Sequence, residues 1–235
     1  MKEFQEDVFG QLLKKQYYQE SNLEFLKQQL VINNPDLNPL QVYKLFNPPK
    51  ERTAGIGAQN ILAAFSSLGI PVDANNINIL IKRFDCNRDG LLNYTEVCEF
   101  FKPKDVSLSN QFISRAKNNM SLKVSDQAKQ SLREIFLQIL RVELDNEMTK
   151  SEMHSRPNFS LTTAFELMNR VNDIQNDNIT VKQLKNILLT HNVYTLDRDV
   201  QILFDRYDKN KDGLVSFQDF ANEILTYSQS VVLQK

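Results

Sequence analysis

The sequence predicts an all-α fold. Three observations carry that expectation: apolar residues recur at steps of three and four, no stretch alternates at strand period, and only 6 of 235 residues are glycine. An apolar share of 41% with 24% charged residues is that of an ordinary globular chain. A formal net charge of -1 gives no electrostatic reason to expect nucleic acid or acidic membrane as a partner. No apolar run is long enough to insert in a membrane. The beginning MKEFQEDVFG reads neither as a secretory signal nor as a myristoylation site. Cys86 and Cys98 are too few for a disulfide framework, so a reducing, cytoplasmic location is expected.

Residues 1–35 read as a helical extension. Phe4, Val8 and Leu12, then Leu23, Leu26 and Leu30, step at helical spacing until Asn33-Asn34-Pro35 breaks it. This helix either covers the first half of the protein or lies as an arm on a larger assembly. Residues 36–102 carry Ile61, Leu62, Ala64, Phe65 and Leu68, then Ile77, Leu80, Ile81 and Phe84, each set on one helical face. Residues 103–156 open within a polar stretch, KPKDVSLSNQFISRAKNNMSLKVS (102–125), that reads as a linker. Ser125 or Asp126 then caps a helix running to Met148 or Lys150, stopped ahead of Pro157. Its apolar face from Leu132 to Leu144 closes the groove of the second half or docks a partner; closing its own core is the simpler expectation. Residues 157–228 repeat the helical pattern through Leu184, Ile187 and Leu188 and through Val200, Leu203, Phe204 and Tyr207, and 229–235 form a tail.

Two segments interrupt the helices in the same way. FDCNRDGLLNYTE (84–96) and YDKNKDGLVSFQD (207–219) share an aromatic residue followed by Asp-x-Asn-x-Asp-Gly-Leu, an apolar eighth position and a carboxylate at the twelfth. A hard cation such as calcium takes about six to eight oxygens, which a short loop supplies only at recurring positions. In the first loop these are Asp85, Asn87, Asp89, the Leu91 carbonyl, Asn93 and Glu96; in the second, Asp208, Asn210, Asp212, the Leu214 carbonyl, Ser216 and Asp219. Gly90 and Gly213 stand at the sixth position, where the chain reverses. Leu92 and Val215, at the eighth, suit short pairing strands.

These residues resemble the EF-hand motif of the calmodulin-like superfamily. The resemblance implies two helix-loop-helix pairs and calcium as the bound ion. Asp219 stands where glutamate is usual, which implies a weaker second site or one tolerant of magnesium. Paired hands also imply partner loops at 49–60 (PKERTAGIGAQN) and 172–183 (NDIQNDNITVKQ). Both keep the apolar eighth residue, Ile56 or Ile179, and lose the chelating set. They are expected to fold without metal, Ile56 facing Leu92 and Ile179 facing Val215; a weak site on Asp173 and Asp177 is the alternative.

His154 and His191 lie apart from each other and from the cysteines, and no nucleophile, phosphate loop or other acid pair stands out, so no enzyme activity is expected. The expected role is a calcium-binding structural or regulatory subunit of a larger protein assembly; the alternatives are a calcium sensor acting on a target protein, and a buffer. Methionine is sparse and phenylalanine abundant, 5 against 15, which suits fixed packing over an adaptable groove. The two-pair pattern is also similar to EF-hand proteins of the ciliary axoneme, which implies microtubules and their associated proteins as partners and the axonemal cytoskeleton as the location.

Overall fold

The computed structural model describes residues 2–47, 55–118, 123–169 and 178–233. Among the described residues the chain is all-α. Its helices are α1 Lys2–Asn33, α2 Pro39–Phe46, α3 Ala58–Ser67, α4 Ala74–Phe84, α5 Tyr94–Glu99, α6 Val106–Asn118, α7 Asp126–His154, α8 Leu161–Asn169, α9 Val181–Thr190, α10 Asp197–Tyr207, α11 Phe217–Ile224 and α12 Tyr227–Leu233.

Local chemistry explains most of the boundaries. Asn38 accepts the Gln41 backbone N–H while the Gln41 side chain accepts that of Asn38, and Pro39 opens α2 with its φ already helical. Asp73 caps α4 through the N–H of Asn76, Asp105 caps α6 through that of Leu108, and Ser125 caps α7 through that of Ala128. Thr180 and Gln183 form the reciprocal pair at the start of α9.

The chain divides into two compact units. One is contiguous, residues 22–144; the other is split, residues 1–21 with 145–235. The boundaries expected at 35, 102 and 156 do not coincide with this division, which falls inside α1 and inside α7.

In the contiguous unit, α2 to α5 close on Leu23, Leu30 and Val31 of α1 and on Ala128, Leu132, Ile135, Phe136, Ile139 and Leu140 of α7. The α7 face therefore belongs to the first half of the protein, whereas the sequence expectation placed it on the second. Four rings mark the centre: Phe136 lies 5.3 Å from Phe65, 5.6 Å from Phe46 and 6.1 Å from Phe100.

The stretch expected as a linker at 103–124 holds α6. It was illegible because its visible apolar residues mislead: Val106 and Ile113 face solvent, while Phe112 is buried edge-on to Phe101 at 5.9 Å. Arg115 then donates to the carbonyls of Val31, Asn34 and Leu37, tying α6 to the end of α1 and the turn that follows it. Helix α7 outruns its expected end by one turn, reaching His154, and α12 takes up most of the expected tail.

In the split unit, α8 to α11 pack with Phe9, Leu12, Leu13 and Tyr17 of α1 and Met153 of α7. The first half of α1 thus serves the second half of the protein, not the first as the sequence suggested.

Candidate functional site: two matching loops

Each loop begins where an incoming helix ends. Asp85 closes α4 by donating its N–H to Ile81, and Asp208 closes α10 by donating to Phe204. Their side chains then turn inward onto the loop backbone. The Asp85 carboxylate accepts from Arg88 N at 2.7 Å and from Gly90 N at 2.8 Å. That of Asp208 accepts from Asp212 N at 3.2 Å and from Gly213 N at 2.9 Å. The N–H groups reach inward because the chain turns left-handed at two points per loop: φ is 61° at Arg88 and 80° at Gly90, and 60° at Lys211 and 82° at Gly213. Glycine takes that conformation freely, while Arg88 and Lys211 take it at a cost of about 1 kcal/mol each.

The next oxygens repeat the match. Asn87 Nδ2 donates to Asp89 Oδ2 and Asn210 Nδ2 to Asp212 Oδ2, both at 2.9 Å. Leu91 N donates to Asp89 Oδ1 and Leu214 N to Asp212 Oδ1, both at 2.8 Å. At the eighth position the buried Leu92 exchanges two 2.9 Å backbone hydrogen bonds with Ile56, and Val215 exchanges two 2.9 Å bonds with Ile179.

The loops diverge at their ends. Asn93 caps α5, and Glu96 sends one oxygen to Asn93 N and the other back to Cys86 N, both at 2.9 Å, joining the twelfth position to the second. Glu96 is buried. Ser216 caps α11, and the shorter Asp219 takes both the N–H and the hydroxyl of Ser216 on one oxygen, at 3.2 and 2.6 Å. The second loop instead buries its first residue, Asp208.

Burial pushes the Asp85 carboxyl above its ordinary range; hydrogen bonds from Gly90 and Arg88 oppose this, and the charges of Glu96 and Asp89 push the same way as burial. Like charges are therefore crowded at the first loop, a charge deficit that a cation would relieve. Among the described residues no three or more His, Cys, Asp or Glu gather closely enough to hold a metal by themselves. Any cation would need the amide and carbonyl oxygens as well. Each carboxylate oxygen that already accepts one N–H keeps a second lone pair. By donor chemistry the residues present fit a hard, oxygen-seeking ion.

Residues 49–54 and 172–177 of the expected partner loops, Asp173 and Asp177 among them, lie outside the described residues. The twelfth residues of those frames are used in helix starts: Asn60 Oδ1 accepts Gly57 N, and Gln183 Oε1 accepts Thr180 N. His154 contacts the Ile224 carbonyl at 3.2 Å, and His191 rests against Gly10, so neither stands with a cysteine. Among the described residues no helix is long and apolar enough to cross a membrane. Comparison with family models, with curated proteins and with solved structures returns no match.

Proposed function

We propose that the protein binds calcium in the loops 85–96 and 208–219 and uses it to fix the shape of a subunit in a larger protein assembly. The observation that carries this reading is the repetition of one loop geometry at two distant places in the chain: the same two left-handed turns, the same carboxylate-to-glycine bond and the same apolar bridge. An ordinary turn between helices needs none of these together. Bound calcium would supply the double positive charge that offsets the crowded carboxylates. The residues offered to it are Asp85, Asn87, Asp89, Leu91, Asn93 and Glu96, and Asp208, Asn210, Asp212, Leu214, Ser216 and Asp219. On this reading the loops and their partner segments form two EF-hand pairs.

A shape-fixing role is favoured over a switching one because each unit's apolar interior is already filled by α1 or α7. The axonemal resemblance makes microtubule-associated proteins the partners to look for. Calorimetric titration of the chain with calcium and magnesium tests the reading. Two binding phases are expected; Glu96→Gln weakens the tighter one at least tenfold, and Asp219→Asn acts on the weaker, magnesium-tolerant one. No heat of binding for either ion would end the proposal. A large calcium-dependent rise in apolar-dye binding would replace the shape-fixing role with the sensor.

A further inference from the structure

Outside the loops, the split unit contains a buried chain of alternating charges. Glu20 of α1 meets Arg206 of α10 at 2.7 Å, Arg206 meets Glu223 of α11 at 2.7 Å, Glu223 meets Lys150 of α7 at 3.3 Å, and Lys150 meets Glu147 at 3.4 Å. The Arg206 side chain is 0% exposed and those of Glu20, Glu223 and Lys150 are 9, 7 and 3% exposed, so the set is withdrawn from water. Glu147 also accepts the Tyr227 N–H at 2.7 Å, bringing in α12. Removing one member of such a chain leaves its neighbours as uncompensated buried charges, so it holds or fails as a set.

What it holds is the stretch 8–20 of α1. The apolar hold on that stretch comes from Phe9, Leu12, Leu13 and Tyr17. The rest is polar: Gln16 accepts the Tyr207 hydroxyl at 2.5 Å, Lys15 meets Asp145 and Thr149 at 2.7 Å, and Gln19 donates to Asp145 at 2.9 Å. Among the buried polar atoms, Gln16 Nε2 and both side-chain atoms of Asn146 have no partner. Water would satisfy Gln16 if α1 moved, which lowers the cost of opening this stretch. A glycine at position 10 lowers helix propensity near the start of this stretch.

We propose that residues 8–20 of α1 are a releasable strap on the split unit, an internal helical ligand that opens as one piece while α8 to α11 stay folded. The code by which the unit reads it is apolar at Phe9, Leu12, Leu13 and Tyr17, amide at Gln16 and carboxylate at Glu20.

Hydrogen exchange on the full chain, followed by mass spectrometry, tests it. Residues 8–20 should exchange at least tenfold faster than 181–190 and 200–207. Glu20→Gln should accelerate 8–20 at least another tenfold and leave 128–142 and 181–190 unchanged. A labelled synthetic peptide of residues 8–21 should bind the Glu20→Gln chain at least tenfold more tightly than the parent chain, and lose that gain when it carries glutamine at position 20. Exchange of 8–20 in step with 181–207 would make this stretch an ordinary core helix and overturn the proposal. So would peptide binding indifferent to the glutamate. If the variant fails to fold, exchange in the parent chain alone decides.

Discussion

Arg83 and Arg206 occupy the same place in the repeat, two residues ahead of each loop, yet their surroundings differ. In the contiguous unit Arg83 meets Glu143 of α7 at 3.5 Å, beside an interior closed by Phe46, Phe65, Phe100 and Phe136. In the split unit Arg206 lies fully buried between Glu20 and Glu223, on an ion chain that continues to Lys150. The contiguous unit centres on a phenylalanine cluster and keeps its charge cluster, Glu99 with Lys27, Lys102 and Lys104, apart from it; the split unit runs a buried ion chain from α1 to α7. Apolar contacts fail by degrees, because each methylene contributes on its own; a buried ion chain fails together.

The sharpest way to break this comparison is to remove both arginines, one at a time. Arg206→Ala should cost about 3–5 kcal/mol in the denaturant-induced unfolding of the split unit, because it leaves two glutamates buried without their cation. Arg83→Ala should cost less, about 1–3 kcal/mol, since its contact with Glu143 is longer, 3.5 Å against 2.7 Å for each of the Arg206 pairs. Equal losses, followed by circular dichroism, would erase the distinction between the units.

A smaller effect separates packing from helix propensity. A Cβ at Gly10 would lie 1.8 Å from the His191 ring. Gly10→Ala should therefore destabilise the split unit by about 1–2 kcal/mol, although alanine is the better helix former. Adding His191→Ala should recover most of that loss. A stabilising Gly10→Ala would mean that the ring yields freely.

The smallest effect belongs to the contiguous unit and to acid. Burial would raise the Glu99 carboxyl, but Lys104, Lys102 and Lys27 outweigh it and hold the group well below the usual carboxylate range. A depressed folded value contributes stability above the unfolded value of about 4.3 and loses it as pH falls through the folded one. Acid unfolding should thus steepen below about pH 4. Glu99→Gln should flatten that limb and lower stability at neutral pH; an unchanged acid limb would remove Glu99 from the account.

The all-α class was legible because helical periodicity survives in nearly every segment. Ile56 and Leu92, and Ile179 and Val215, paired on the strength of the family resemblance, exchange backbone hydrogen bonds. The inward-turned oxygens of Asp85, Asp89, Asp208 and Asp212 could also be named, since a loop of fixed length leaves them few places to go. The destinations of the long helices could not. Periodicity shows that the faces of α1 and α7 are apolar, but Phe9 and Leu30 look alike in sequence and join different interiors. Arg206 could not be singled out because its partners are 186 and 17 residues away. Helix α6 was hidden by having one deeply buried aromatic residue, Phe112, among exposed apolar ones.

The split unit also bears on how the chain is made. Its first strap residues leave the ribosome early, while Arg206, Tyr207 and Phe220, which they are to meet, come about 200 residues later. At roughly 5–20 residues per second that is a wait of about 10–40 s. During that interval the contiguous unit has all its residues and can fold. Phe9, Leu12 and Leu13 have no native partners from their own unit and stay available to chaperones or to other nascent chains. Vectorial synthesis thus imposes an order on the two units, and Phe9, Leu12 and Leu13 wait for partners made about 200 residues later.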